Sequence, residues 1–186
     1  MTNIKLKSER LTLRLIELSD LNKIHSLHSL PETDEFNTLG IPKNIDETKS
    51  IILAWISENE KHKITNHTFA IELDPDNTFI GLFGLKLWDK KHRRAELWYK
   101  IHSDYWRKGF AAESVNLILD YGFEILKLHR IQAGCAVDNI GSIKVLEKVG
   151  MTREGRGRQL LPLKNGWSDN FEYSILETDE RKSKSQ

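Results

Sequence analysis

The chain has 186 residues, with 28 Lys or Arg against 27 Asp or Glu and a formal net charge of +1. That length suits one domain with a sizeable core, and the balanced charge gives no electrostatic reason to expect nucleic acid or a membrane as the main partner. The single cysteine, Cys135, excludes an intrachain disulfide and suits a reducing cytoplasm; no apolar run reaches the roughly 18 residues of a membrane span, and Met1–Arg10 lacks the apolar stretch of a signal peptide.

From Arg10 to Ile16 the chain alternates, Leu11, Leu13 and Leu15 on one face and Thr12 and Arg14 on the other, which predicts a half-buried strand. Ser19 is the expected cap of a helix running to about Leu30, closed by Pro31, and residues 31–44 read as a loop. Asp46 is the expected N-cap of a second helix, to about Glu60, whose apolar face is Ile51, Ile52, Trp55 and Ile56. Strands follow at His67–Leu73, Phe79–Trp88 and Arg93–Ile101, an antiparallel meander whose first turn is Asp74-Pro75-Asp76-Asn77. A helix from Phe110 to about Lys127, a strand from Leu128 to Val137 and a helix opening at Asn139 and stopping at Gly150 come next. Met151–Leu163 and Ser168–Glu177 then pair as a hairpin over Lys164-Asn165-Gly166. The order βααβββαβαββ predicts an α+β fold, with a mixed central sheet of about seven strands and helices on both faces. A single domain over residues 1–177 and a frayed polar tail over 178–186 are expected. His25, His28, His62 and His67 lack metal-ligand spacing, so they read as solvent-facing and no metal is expected.

One loop concentrates chemistry. Asp104-Tyr105-Trp106-Arg107-Lys108-Gly109-Phe110-Ala111-Ala112-Glu113 lies between a strand and a helix. Such a turn aims backbone N–H groups and the positive end of a helix dipole at one point, which suits a pyrophosphate. Gly109 permits close approach, Ala111 and Ala112 keep the first turn free of bulk, and Arg107 and Lys108 add charge. An ordinary strand-to-helix turn with solvated Arg and Lys fits the local pattern equally well. Neither a Walker loop nor the dinucleotide fingerprint G-x-G-x-x-G is present.

The wider pattern resembles the GCN5-related N-acetyltransferase (GNAT) superfamily. Gly109 and Ala111 match its acetyl-CoA pyrophosphate motif Q/R-x-x-G-x-G/A, and the run from Asn139 to Met151 matches its N-x-x-S/A…G-F/M pattern. Glu9-Arg10-Leu11, His129-Arg130-Ile131, Asn139-Ile140-Gly141-Ser142, Glu154-Gly155 and Asn165-Gly166-Trp167-Ser168-Asp169 resemble the ribosomal-protein N-terminal acetyltransferase branch. Two positions depart from the family pattern. Trp106 stands at the Gln/Arg position of the pyrophosphate motif, and Leu146 stands where many relatives carry a thiol-protonating Tyr.

The resemblance implies a cleft between the strands holding Ala95–Ile101 and Leu128–Val137, with acetyl-CoA as cosubstrate and its pantetheine lying along strand backbone. Ile101, Arg107, Lys108, Gly109, Phe110, Ala111, Ala112, Asn139 and Ser142 are the residues expected to bind it. The reaction implied is direct attack of an amine on the thioester, with a backbone N–H near Tyr99–Ile101 polarising the carbonyl. Ser142 is the candidate for protonating or hydrogen-bonding the leaving thiolate, and Asn139 for capping its helix while holding the pantetheine arm or substrate. Glu96 is the candidate base, with a salt-bridged surface role as the alternative; His102 and Asp104 are weaker candidates. Cys135 reads as a buried structural thiol. Most of the five tryptophans read as packing, while Trp167 sits in a loop that borders the acceptor site in this branch.

The activity so implied is acetyl-CoA-dependent N-acetylation, with a protein N-terminus, such as that of a ribosomal protein, as the expected acceptor. Small amines such as a polyamine, an amino acid or an aminoglycoside are the alternative, for which Glu32, Asp34 and Glu35 leave room. A non-catalytic CoA-binding module is the alternative from another class. A cytoplasmic monomer or homodimer is expected.

Overall fold

The computed structural model describes residues 4–60 and 65–181; the expectation for His62 lies outside them. Eight strands form one sheet: β1 (Lys5–Lys7), β2 (Leu11–Leu15), β3 (Asn66–Leu73), β4 (Thr78–Leu87), β5 (Arg94–Ile101), β6 (Arg130–Ala136), β7 (Thr152–Leu163) and β8 (Gly166–Leu176). They lie in the order β1-β2-β3-β4-β5-β6-β8-β7. The helices are α1 (Leu21–His28), the four-residue α2 (Pro31–Asp34), α3 (Ile45–Glu60), α4 (Phe110–Asp120) and α5 (Ile140–Lys148).

This is the predicted α+β architecture with one more strand than expected. The extra strand, β1, exists through its pairing with β2, where Leu6 faces Leu13. Three local expectations also shift. Ser19 does not cap α1; its Oγ donates to Glu17 instead, and the helix starts two residues later. The cap of α3 is Asn44, whose Oδ1 accepts the Glu47 N–H, and not Asp46. The 31–44 loop opens with a helical turn because Pro31 sits at its first position, where a missing N–H costs nothing.

Alternation along the strands sorts the core into two layers. Phe69, Ile71, Phe83, Leu85, Ala95 and Leu97 face α4 and α5 with Val115, Ile118, Leu119 and Leu146. Ala70 and Leu82 face α1 and α3 with Ile24, Leu27 and Ile52. Each such fully buried aliphatic side chain stabilises by about 1.5–3 kcal/mol, so the helices are held by their apolar faces. Gly84 on β4 is required by this packing: a Cβ there would overlap the Trp98 indole opposite it on β5. The indole in turn meets Trp55 of α3, ring centroids 5.6 Å apart.

The feature that positions a site is the seam between β5 and β6. Among the described residues it is the sheet's one parallel contact, and it pairs only Arg94–Glu96 with Arg130–Gln132. The β4–β5 ladder continues to Ile101 and the β6–β8 ladder to Ala136. Beyond the seam the facing edges of β5 and β6 therefore diverge, leaving backbone groups unpaired over about 16 Å at ~3.3 Å per residue.

Candidate active site

The wedge between β5 and β6 offers hydrogen bonds that no strand takes up. Arg93 turns its carbonyl toward β6, accepting from His129 N at 2.7 Å, while Arg94 turns its carbonyl toward β4, accepting from Trp88 N at 3.0 Å. Backbone direction alternates, so Tyr99 and Ile101 present their N–H groups to the wedge. The Ile101 carbonyl is already engaged by Trp106 Nε1 at 2.7 Å. The residue that replaces the expected Gln or Arg therefore spends its one donor closing the end of β5.

At the mouth of the wedge, α4 begins at Gly109, whose φ of 85° is left-handed. An L side chain there costs about 1–2 kcal/mol, which accounts for glycine. The first intrahelical bond runs from Glu113 N to Gly109 O, so the N–H groups of Phe110, Ala111 and Ala112 are free to hold an anion. Arg107 and Lys108 are exposed beside them. The Phe110 ring is buried beneath the guanidinium of Arg10, 4.7 Å from its centroid, so this residue offers its backbone only. Arg10 braces the loop: it bonds Glu113 Oε2 through Nη2 at 2.5 Å and the Lys108 carbonyl through Nη1 at 3.4 Å. Glu113, read from sequence as a dipole-complementing residue, is thus also the clamp between this loop and the start of β2.

Asn139 caps α5 as expected, its Oδ1 accepting the Ser142 N–H at 3.0 Å. Ser142 is half-buried, and the phenol of Tyr99 reaches its neighbourhood from β5. Burial pushes the Tyr99 hydroxyl up to about 12, an effect the Ser142 hydroxyl partly offsets. Yet Tyr99 Oη makes no hydrogen bond of normal distance and angle among the described residues. Its proximity to Ser142 is therefore a near approach, with a polar atom left to be satisfied. Sequence alone does not single out Tyr99 as a proton-handling group. The signal was present, because Tyr99 shares the face of Ala95 and Leu97, which point to α5. Leu146 is 1% exposed and packs in the core, so it contributes shape alone. Cys135 is buried, and burial followed by the charge of Glu147 raises its thiol to about 11, so it stays protonated at neutral pH.

Glu96 lies on the opposite face of β5 from Tyr99, within the paired part of the seam. It is not brought together with Ser142 and Asn139. His102 Nδ1 accepts the Asp104 N–H at 3.3 Å and so serves the turn after β5. Two of the histidines expected at the surface are buried instead, His28 at 1% and His67 at 2% exposure. His28 occupies the inner face of α1 against Trp55, and His67 packs among Phe69 and Tyr121. Burial holds both near 4, well below the ordinary imidazole value.

Two cavities open on the other side of β5, between the α2–α3 connection and the β7–β8 hairpin. One, of about 380 Å³, is lined by Asp34, Asn37, Ile41, Pro162, Leu163 and Lys164 among others. The second, of about 420 Å³, is bordered by Glu35, Phe36, Arg156, Asn165 and Trp167. Trp167 is 66% exposed there.

A splayed parallel strand pair with free N–H groups of a helix start at its mouth suits an extended, phosphate-bearing cosubstrate. Residues 10–152 match the model of the acetyltransferase (GNAT) domain, and the chain belongs to the GNAT family of N-acetyltransferases, which draw on acetyl-CoA. The chain is 31% identical to the N-acetyltransferase p20 of Bacillus licheniformis, itself uncharacterized, over 94% of this chain and 97% of that one. It is similar to the crystal structure of spermidine N-acetyltransferase from Vibrio cholerae in complex with CoA and spermine, at 29% identity and TM-score 0.81, covering 91% and 97% of the two chains. The ribosomal-protein-S5-alanine acetyltransferase of Vibrio fischeri gives TM-score 0.81 over 95% and 98% at 22% identity, a likeness of fold alone.

Proposed function

We propose that this enzyme moves the acetyl group of acetyl-CoA to the α-amine at the N-terminus of a cytoplasmic protein, a ribosomal protein being the expected kind. The observation that carries the acceptor class is the chemistry around the open edge of β5. Tyr99, Cys135, Asn139 and Ser142 are neutral, and among the described residues Glu96 lies on the other face. An α-amine near pH 8 is roughly 10% neutral at pH 7, whereas a lysine side chain is only about 0.04% neutral. An acceptor that sheds its proton unaided suits the Tyr99 face of the wedge, where Glu96 is turned away and Glu147, whose charge reaches Cys135, is engaged by the Tyr173 hydroxyl.

In this proposal the free N–H groups at the start of α4, with Arg107 and Lys108, hold the pyrophosphate of CoA. The pantetheine bonds to the unpaired edge of β5 as an added strand would, and an N–H of Tyr99 or Ile101 faces the thioester oxygen. The amine attacks the carbonyl carbon, the C–S bond breaks, and the thiolate takes up a proton. Ser142, with Tyr99 behind it, is assigned to that proton or to a hydrogen bond on the sulfur. Asn139 fixes the first turn of α5 so that Ser142 stays in place.

A second reading, acetylation of a polyamine, is favoured by the likeness to the spermidine enzyme and by the exposed Glu32 and Glu35 beside the cavities. Release of free thiol from acetyl-CoA separates the two readings. Peptides beginning with Ala, Ser or Thr, spermidine, an aminoglycoside and free amino acids are offered in parallel. Turnover on the peptides supports the proposal. Turnover on spermidine with the peptides inert replaces it.

A further inference from the structure

Three ionisable side chains from three elements converge on the face of β5 opposite Tyr99: His28 from α1, Asp34 from α2 and Lys100 from β5 itself. His28 is 1% exposed and Asp34 4%. Lys100 Nζ, Asp34 Oδ1 and both ring nitrogens of His28 are buried without a hydrogen-bond partner among the described residues. Native proteins rarely leave one such atom unpaired, because each costs about 1–3 kcal/mol. Four together mark a place that something polar fills. Asp34 also lines the cavity of about 380 Å³, so the cluster borders, through Asp34, a space that an acceptor can enter.

We propose that Lys100 and Asp34 read an α-aminoacyl group, Asp34 accepting from its amine and Lys100 donating to the carbonyl oxygen beside that amine. This inference rests on the N-terminal acetylation reading and narrows it to the first residue of the acceptor.

The inventory of donors and acceptors selects that chemistry. Lysine offers donors only, a carboxylate offers acceptors only, and neutral imidazole offers one of each. An occupant that meets both brings an acceptor for Lys100 and a donor for Asp34. An α-aminoacyl group carries both, three bonds apart. A polyamine brings donors alone; it would satisfy Asp34, leave Lys100 unmet and add a like charge beside it. Burial lowers Lys100 to about 8, opposed by the charge of Asp34, so at pH 7 roughly nine in ten copies are still cations able to donate. Lys164, across the cavity from Asp34, adds a second positive charge and further disfavours a polycation. Position fits as well. Lys100 stands between Tyr99 and Ile101, the residues whose N–H groups face the wedge, so a carbonyl held on one face of the strand sets the neighbouring amine close to its edge.

The test compares alaninamide with isopropylamine, which share the amine and the methyl group while only the first has a carbonyl. Intrinsic reactivity cancels when the ratio of their kcat/KM values is compared between enzymes. In Lys100→Met the ratio of alaninamide to isopropylamine falls by about tenfold or more, the loss expected for a hydrogen bond from a charged donor. CoA affinity stays within twofold, which also confirms that the variant is folded. Asp34→Asn provides an independent arm: it raises KM for both amines together and leaves their ratio unchanged. An unchanged ratio in Lys100→Met overturns the assignment and leaves the cluster to water. Wild-type turnover on spermidine with alaninamide and Ala-peptides inert overturns the N-terminal reading itself, and this is visible before any variant is made.

Discussion

The anion-holding role of the α4 start can be tested by putting bulk and charge on Gly109 separately. Gly109 has φ 85°, and a Cβ there would meet only Arg10 Nη2, at 3.5 Å. Gly109→Ala therefore adds no clash and reports backbone strain, about 1–2 kcal/mol. If the free loop relaxes and must be driven back on binding, CoA affinity falls by roughly five- to thirtyfold at most. Gly109→Asp carries the same strain and adds a carboxylate about 6 Å from a bound phosphate. Coulomb's law gives that repulsion as about 0.7 kcal/mol in water and about 2.8 kcal/mol at an effective dielectric of 20. Arg10 screens part of it. The further loss is thus about three- to a hundredfold beyond the alanine variant, and it shrinks as salt rises. Isothermal titration of CoA into the three proteins at two salt concentrations measures both components. Gly109→Asp binding CoA within twofold of wild type would refute the placement of the pyrophosphate at this helix start.

Ser142→Ala is expected to lower kcat by tenfold or more while CoA affinity changes less than threefold; retained turnover would remove Ser142 from proton transfer. Tyr99→Phe, which deletes a buried hydroxyl without a partner, is expected to leave the melting temperature unchanged or raised and to lower kcat only through Ser142. His67 sits near 4 in the folded protein against about 6.5 unfolded, so the unfolded chain binds the extra proton between those values. Stability therefore falls as pH drops from about 6.5 to 4 and levels off below, by up to about 3 kcal/mol for this imidazole. His67→Phe should reduce that slope in urea unfolding at pH 7 and pH 5, and an unaltered slope would mean the ring is not buried neutral.

Much of the fold was legible because it is local. Alternation of Leu11, Leu13 and Leu15, the turn at Asp74–Asn77 and the cap at Asn139 each carry their own signal, and strand, turn and cap are all present, but β2 is not half-buried as expected: Thr12, on its other face, is fully buried and donates to Asp74. Errors arose where two local signals compete or where none exists. Asn44 and Asp46 are both good caps two residues apart, and it is Asn44 whose side chain bonds the first turn of α3. β1 has three residues, two of them lysines, and is a strand through pairing alone. The pyrophosphate loop was legible as a loop, but the wedge beside it was not. That opening depends on the β5–β6 register ending after Glu96 and Gln132, a relation between residues distant in sequence. The buried trio of His28, Asp34 and Lys100 was hidden for the same reason. Each residue alone reads as a surface group, and its burial comes from α1, α2 and β5 closing on one another.

Acetylation of an α-amine at the β5–β6 wedge, as proposed for this GNAT enzyme, has a direct test. The most direct measurement is tandem mass spectrometry of one peptide, with Ala at its N-terminus and an internal Lys, after incubation with acetyl-CoA and enzyme. One added acetyl group is expected, carried on the N-terminal fragment ions and lost when Ser142→Ala replaces the wild type. Acetyl found on the lysine side chain, or an unmodified peptide in a sample where spermidine is acetylated, would contradict it.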